Sequence, residues 1–469
     1  MIAFVWKPPA VGDMVPGGNH KDFVFSAMQR LLQILFWSII SAAFIGPGTV
    51  TTAASAGSLF RYDLIWALLF STIACIVLQE ASARITIISG WDLGQAIRKQ
   101  FQGGILGFFV LALVLSAIIL GCAAYETGNI LGSVAGISLC VGIHPKVLTL
   151  IIGISAGFLL YFGTVKIVAR LLGVIVAFMG VAFLVTAILL KPPVGDILIG
   201  TFVPTWTNQS SLFVIALIGT TVVPYNLFLG SGIAKGQKIG EVRFGLTIAI
   251  FLGGIISMGV LVVGTAISES HFTFETLSDT LSTRLGNWSG SFFAMGLFAA
   301  GFSSAVTAPL AAAITAQSLL DSPDHNRWHQ DALRYRIIWM GILIFGTLLG
   351  LMDIRPIPAI ILAQALNGVL LPFAAVFLFL VVNDRTLMGE KGINRPLSNI
   401  VMGIVITITI ILGIANLVKA AVSTFPFRNL QEQWLLIVSG IVTIVIIFPL
   451  MKNIRKRRFL QTNTNEDQQ

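Results

Sequence analysis

The stretch Phe44-Ile45-Gly46-Pro47-Gly48-Thr49-Val50-Thr51-Thr52 constrains this chain more than any other. It sits in the middle of an apolar run at about 33–60, long enough to cross a bilayer as one helix. Proline lacks an N–H and clashes with the preceding turn, and each flanking glycine adds backbone freedom. In lipid the freed backbone groups find no water, so a broken helix survives only inside protein or along a cavity. A second run, at about 211–234, is interrupted in the same way by Thr220-Thr221-Val222-Val223-Pro224-Tyr225-Asn226. Two interrupted spans in corresponding halves of a chain point to a transporter's binding site.

The composition agrees with a membrane chain: 56% of the 469 residues are hydrophobic and 10% are charged, against about a quarter charged in soluble domains. The net charge of +9 would suit nucleic acid, but the basic residues gather in alternate loops, as membrane topology requires. Lys452, Arg455, Lys456, Arg457 and Arg458 follow an apolar run directly and read as an anchor near anionic lipid. The cysteines Cys75, Cys122 and Cys140 have no metal-ligand spacing and are expected to pack. The N-terminal residues are polar and contain Pro and Gly, with no cleavable signal, so the first apolar run is expected to remain as a span.

About twelve spans follow from the length criterion. They are placed at 33–60, 63–89, 104–139, 147–162, 165–190, 211–234, 241–268, 289–320, 335–352, 357–383, 398–418 and 432–451. The even-numbered gaps carry Arg98 and Lys99, Lys166 and Arg170, Lys235, Lys238 and Arg243, Arg327, Arg334 and Arg336, then Arg385, Lys391 and Arg395. The other loops carry one or two each: Arg61, Lys146, Lys191, Arg284, Arg355, Lys419 and Arg428. That asymmetry puts both termini in the cytoplasm of a plasma membrane, expected to be a bacterial inner membrane. The breaks fall in the first and sixth spans, so the second five-span unit is inverted relative to the first. The expected division is a cytoplasmic segment 1–32, a first repeat 33–190, a second repeat 191–385, accessory spans 386–451 and a basic tail 452–469.

The first break offers backbone groups of Gly46, Pro47 and Gly48 and the Thr49 hydroxyl; the second offers Thr220, Thr221, Tyr225 and Asn226. They read either as a substrate site or as two proline kinks used for packing. Ionisable groups inside a membrane are costly and are functional candidates. The deepest is Glu126, which either relays protons or a cation, or sits protonated or paired at a helix interface. Glu80 and Arg84, four apart, read as a structural ion pair. Ser303, Ser304 and Thr307 lie in a small-residue stretch and either reach a cavity or serve close helix packing. Gln364 and Asn367 share a helical face and are either cavity residues or interhelical bonding partners. The histidines, His20, His144, His271, His325 and His329, fall in loops or at span ends. No nucleophile with a nearby base, no phosphate loop and no ligand cluster appears, so neither an enzyme nor a cofactor is expected.

Five segments resemble the NRAMP (natural resistance-associated macrophage protein) family of divalent-metal transporters: FIGPGTVTTAASAG, DLIWALLFSTIACIVLQEASARITIISGWDLG, GTTVVPYNLFLGSG, GLFAAGFSSAVT and ILAQALNGVLLPFAAVFLFLVVNDRTLMG. They cover the first ten spans. The resemblance implies an all-α polytopic fold of LeuT type, with a 5+5 inverted repeat and helices 1 and 6 broken. The family binds its ion through the Asp and Asn of a DPGN motif and the Met of an MPH motif. Here those positions hold Gly46, Thr49 and Val223, and the family's histidine is Tyr225. A family carbonyl ligand would come from Thr220, and Gln364 matches the tenth-span glutamine. The family's proton-moving Asp and Glu of the third span correspond to Glu126 and Asn129.

A transition metal needs ligands that offset its dehydration, and softer metals favour sulfur or imidazole. Mg²⁺ usually takes one or two carboxylates. This residue set supplies neither, so no metal ligands are assigned and transport of Mn²⁺ and Fe²⁺ is expected to be weak or lost. Helix N-termini at the breaks favour anionic groups instead. The alternatives are a transporter of a small organic solute, amino-acid or carboxylate-like, and a non-transporting receptor on the same fold. The expected partners are that solute or ion and the bilayer, not nucleic acid.

Overall fold

The computed structural model describes residues 45–101, 103–162, 165–207, 209–267, 272–321, 327–424 and 432–459. Seventeen helices occupy them. The first half of the chain gives α1 (Pro47–Phe60), α2 (Ile65–Ser89), α3 (Leu93–Gln100), α4 (Gly104–Ser138), α5 (Pro145–Phe162), α6 (Val165–Leu189) and α7 (Val194–Phe202). The interrupted span follows as α8 (Ser211–Thr221) and α9 (Pro224–Ile233). Then come α10 (Ile239–Gly264), α11 (Phe274–Leu285), α12 (Trp288–Leu320), α13 (Leu333–Leu351), α14 (Pro356–Val381), α15 (Arg385–Gly392), α16 (Pro396–Thr424) and α17 (Glu432–Phe459).

Ten spans among the described residues are long and apolar enough to cross a membrane, counting α8 and α9 as one. The helix α1 is the second half of the first broken run, whose residues 33–44 lie outside the described residues. The shorter apolar stretch Ile437–Lys452 in α17 completes the expected set. The helices α3, α7, α11 and α15 lie outside the twelve spans. Two of them begin at capping boxes: Asp92 with Gln95 opens α3, and Thr273 with Thr276 opens α11. These polar side chains satisfy the first amides of the helix, which is the local reason a short helix starts there.

Lipid is as apolar as leucine, so spans are held together by close approach of small residues and by interhelical hydrogen bonds. The backbone of α8 meets that of α14 where Gly219 lies on the Gln364 carbonyl and on Gly368. The helices α1 and α10 meet similarly, with Gly57 on the Leu261 carbonyl and Gly264 on the Ala54 carbonyl. The long pair α4 and α12 closes through Gly136 and Gly301. A parallel pairing ties α2 to α9: Ser82 Oγ donates to the Leu227 carbonyl at 2.5 Å, and the Thr86 and Ser231 hydroxyls lie 2.7 Å apart.

Glu80 and Arg84 form the expected ion pair at 3.2 Å, and Glu80 also takes Arg243 of α10 at 2.8 Å. Arg84 reaches further, to the Gly392 carbonyl and the Asn394 side chain. Cys75 and Cys122 are buried, as packing residues should be, but Cys140 is exposed. It falls in the turn after α4 ends at Ser138, just beyond the packed part of the helix.

Candidate functional site

The chain enters the first break in extended conformation at Gly46 (φ −111°, ψ −174°), and Pro47 starts α1. No side chain caps this end, so the amides of the first turn are directed at the break. The second break follows the same logic. The helix α8 stops at Thr221, Val223 is extended (φ −80°, ψ 122°), and Pro224 occupies the first turn of α9. The C-terminal carbonyls of α8 and the N-terminal amides of α9 therefore flank one gap.

The two breaks touch. Thr49 Oγ1 and Thr220 Oγ1 form a buried hydrogen bond of 2.8 Å across 171 residues of sequence. Gln364 of α14 lies over Gly48 so closely that a Cβ there would collide with its amide. Gly132 of α4 is pressed against the ring of Pro47 from another side. A Cβ at Gly46 would stand 3.6 Å from Ser304 Oγ of α12. The ring of Tyr225 packs edge-on against Tyr125 of α4, with centroids 5.7 Å apart. Three spans, α4, α12 and α14, thus place residues against the two breaks.

Among the candidate residues, Gly46, Pro47, Gly48, Thr49, Thr220, Tyr225 and Gln364 come together. Val223 is buried and caps α9, its carbonyl accepting from the Asn226 amide at 3.0 Å. The Asn226 side chain is 2% exposed, and both its polar atoms lack a partner. Glu126 is fully buried but turns toward α13, where it packs on Gly346. Its carboxylate lies beside the Asn129 side chain, one turn further along α4. It lies one residue from Tyr125 and near enough to Tyr225 to interact with it electrostatically. The Asn129 backbone carbonyl lies at the α4–α12 contact, accepting from Ser133 Oγ at 2.8 Å and touching Gly301, while its side chain reaches Glu126.

Tyr125 carries no weight in the sequence reading, whereas Ser304 is among its packing or cavity residues. The signal for Tyr125 is a phenol inside an apolar run, because a buried tyrosine hydroxyl normally finds a partner. Its hydroxyl lies beside Thr220 at the second break, while the Tyr225 hydroxyl, the Gln364 carbonyl oxygen and the Asn367 carbonyl oxygen have no partner. Buried polar groups are almost always paired. A set of unpaired ones around two helix breaks marks a place where a ligand or water completes the bonding. Among the described residues no three His, Cys, Asp or Glu side chains come together.

A family model described as "Natural resistance-associated macrophage protein-like" matches residues 38–419. The chain belongs to the Nramp family. Among its Nramp relatives, the rice protein "Metal transporter Nramp3" is 28% identical over 393 residues, covering 78% of this chain and 70% of the relative. The "Divalent metal cation transporter MntH" of Bradyrhizobium diazoefficiens is 28% identical over 401 residues, covering 79% and 86%. The fold matches a crystal structure of the Eremococcus coleocola manganese transporter with a TM-score of 0.68 at 19% identity, over 94% of this chain and 96% of that one. It also matches Mhp1, a nucleobase-cation-symport-1 family transporter, with a TM-score of 0.52 at 13% identity, over 90% and 92%. The chain is therefore an integral membrane transporter of the Nramp family with the LeuT-type fold, and not an enzyme.

Proposed function

We propose that this Nramp-family transporter carries its cargo through the site between the two breaks, and that the cargo is a small organic solute rather than Mn²⁺ or Fe²⁺. The observation that carries this reading is the Thr49–Thr220 hydroxyl pair, set among neutral groups where the two half-helices meet. Hydroxyls, carboxamides and phenols do not offset the dehydration of a transition metal, and an unneutralised divalent charge at that depth is very costly. The same groups suit a solute with both donors and acceptors. The N-termini of α1 and α9 favour a carboxylate on it. The basic loops support cytoplasmic placement of both termini.

One observation favours a second reading. Glu126 holds a fully buried carboxylate beside the Asn129 side chain, which suits a hard cation or a proton. The relatives named as divalent metal cation transporters make a cation the natural competitor. A thermal-shift panel on purified protein separates the two, because a ligand that binds only the folded state raises apparent stability. Amino acids and small carboxylates are expected to stabilise it while Mn²⁺ does not. Saturable Mn²⁺ uptake into proteoliposomes, lost on changing Thr49 or Tyr225, would refute the first reading.

A further inference from the structure

The last helix, α17, changes character along its length. Its apolar stretch Ile437–Lys452 passes directly into a basic end, and the helix runs on to Phe459. From Gln433 to Phe459 the sequence has no acidic residue, while Lys452, Arg455, Lys456, Arg457 and Arg458 are all basic. The end of α14 meets the basic loops, and two further spans return the chain to that same membrane face. Charge in such a place serves topology wherever on the helix it sits. A binding surface needs more. The charges must lie on one side of the helix and continue an apolar surface that a lipid chain can cover.

Burial fixes which side of α17 faces outward. Ser439, Thr443, Leu450 and Ile454 are buried and follow one face of the helix, which packs on α16. Ile454 is 2% exposed, so the packing continues into the basic end and sets its rotation. The other side carries Ile441, Ile444, Val445 and Phe448, and the last three are 68%, 66% and 73% exposed. Measured from Ile454 at about 100° per residue, these four lie about 80–180° round the helix. On the same scale Lys452 lies at about 160° and Arg455 at about 100°, inside that stripe, with Lys456 about 160° away on its flank. Lys452 is exposed, as this placement requires. Arg457 and Arg458 lie only about 60° and 40° from Ile454, toward the packed side. From Phe448 to Arg455 the helix rises about 10 Å, a step that one phospholipid spans from acyl chain to phosphate.

We propose that the outward stripe of α17 binds an anionic phospholipid of the leaflet on the basic-loop side. Its acyl chain covers Ile441, Ile444, Val445 and Phe448, and its headgroup phosphate meets Lys452 and Arg455, with Lys456 flanking them. The apolar stripe alone would accept any phospholipid. The positive charges select an anionic headgroup, because no acid on this part of α17 cancels them. Arg457 and Arg458 take no part. The site lies on the last span, apart from the two breaks, and holds whatever the cargo is.

The test is thermal unfolding of the full chain in a neutral detergent, titrated with phosphatidylglycerol, phosphatidylcholine or inorganic phosphate. A ligand that binds only the folded state raises the midpoint, and the concentration dependence gives its affinity. Two variants remove the same charge from opposite sides of the helix: Lys452→Gln with Arg455→Gln, and Arg457→Gln with Arg458→Gln. Phosphatidylglycerol is expected to raise the midpoint of the unaltered chain at concentrations where phosphatidylcholine and phosphate do not. The first variant should bind it about thirtyfold more weakly, about fivefold for each charge, and the second less than about twofold more weakly. The proposal is overturned if phosphatidylglycerol gives no greater shift than phosphatidylcholine, or if inorganic phosphate alone reproduces it. It is also overturned if the two variants weaken binding equally, since net charge rather than placement would then act. If a double variant does not fold, Lys452→Gln against Arg457→Gln makes the same comparison at about fivefold.

Discussion

Two glycines on one face of α4, Gly128 and Gly132, should respond to alanine with opposite signs. A Cβ at Gly128 would stand 3.7 Å from Ile360 Cγ1 and 3.9 Å from Ala363 Cβ, ordinary contact that displaces nothing. A Cβ at Gly132 would collide with Pro47 Cβ and stand 2.5 Å from its Cγ. The pyrrolidine ring has no rotamer to escape into and is fixed at the first turn of α1, so either α1 or α4 must shift. Replacing a mid-helix glycine by alanine favours the helix by about 0.5–1 kcal/mol. That gain is common to both sites and cancels in their difference. What remains is the overpacking cost at Gly132, about 1–3 kcal/mol. Thermal unfolding of the purified variants in one detergent should rank Gly128→Ala at or above the unaltered chain and Gly132→Ala below it. Gly132→Ala should also weaken any ligand found in the stabilisation panel, because the break itself must move. Equal midpoints for the two variants would refute the reasoning.

The hydroxyl bridge should show as coupling. Thr49→Val and Thr220→Val each remove a hydrogen bond worth about 1 kcal/mol, and in a double-mutant cycle of melting midpoints the pair should cost less than the sum. Arg84→Met leaves the Gly392 carbonyl and Asn394 without their donor and should destabilise by about 1.5–3 kcal/mol, measured by denaturation; no change would show the network to be slack. If Glu126 carries the coupling proton, Glu126→Gln abolishes uptake driven by a pH gradient in proteoliposomes, and unchanged pH dependence would remove that role. Asp92, between α2 and α3, gives a pH signature. Burial pushes its carboxyl above the ordinary value, against the opposing pull of hydrogen bonds from Gln95, Ser318 and Gly94 and of the Lys235 charge. A raised folded value means its contribution is present below the unfolded carboxyl range and lost as pH rises through the folded value. Stability should therefore fall over that interval, and Asp92→Asn should flatten the fall in a melting-versus-pH series.

The architecture was legible because the bilayer makes the chain write it plainly. Apolar runs of span length and two prolines in the middle of runs follow from the rule that backbone groups must be satisfied in lipid. Both breaks are where the prolines put them, at Gly46–Pro47 and Val223–Pro224. The short helices α7 and α15 were not legible, since an eight- or nine-residue segment carries too little periodicity to separate from a loop. The site was legible in part. Thr49, Thr220 and Gln364 follow from the breaks and from family resemblance. The sequence does not show which side of α4 meets the breaks, since nearly every residue of that helix is apolar or small. Glycine contacts settle that: Gly132 on Pro47 turns Tyr125 toward Tyr225 and leaves Glu126 facing α13.

The two faces of the molecule are closed by different forces. On the side of the basic loops the closure is polar. Arg84 holds Gly392 and Asn394, Ser318 donates to Asp92, and Gln100 donates to Asp384 at 3.1 Å and to the Leu380 carbonyl at 3.2 Å. The Leu93 amide donates to Ser231 at 2.7 Å, tying α3 to α9. Opening there exchanges made hydrogen bonds for hydration, at a cost that depends on how many break together. On the opposite side the Lys146–Asp353 ion pair joins α5 to the residues after α13. There α1 packs through glycine contacts, and the hydroxyls of Thr51, Ser55 and Ser58 bond to nothing. The physical asymmetry therefore lies in the polar bonds rather than in the apolar contacts, and a variant that cuts Arg84 from the Gly392 loop acts on the basic side alone.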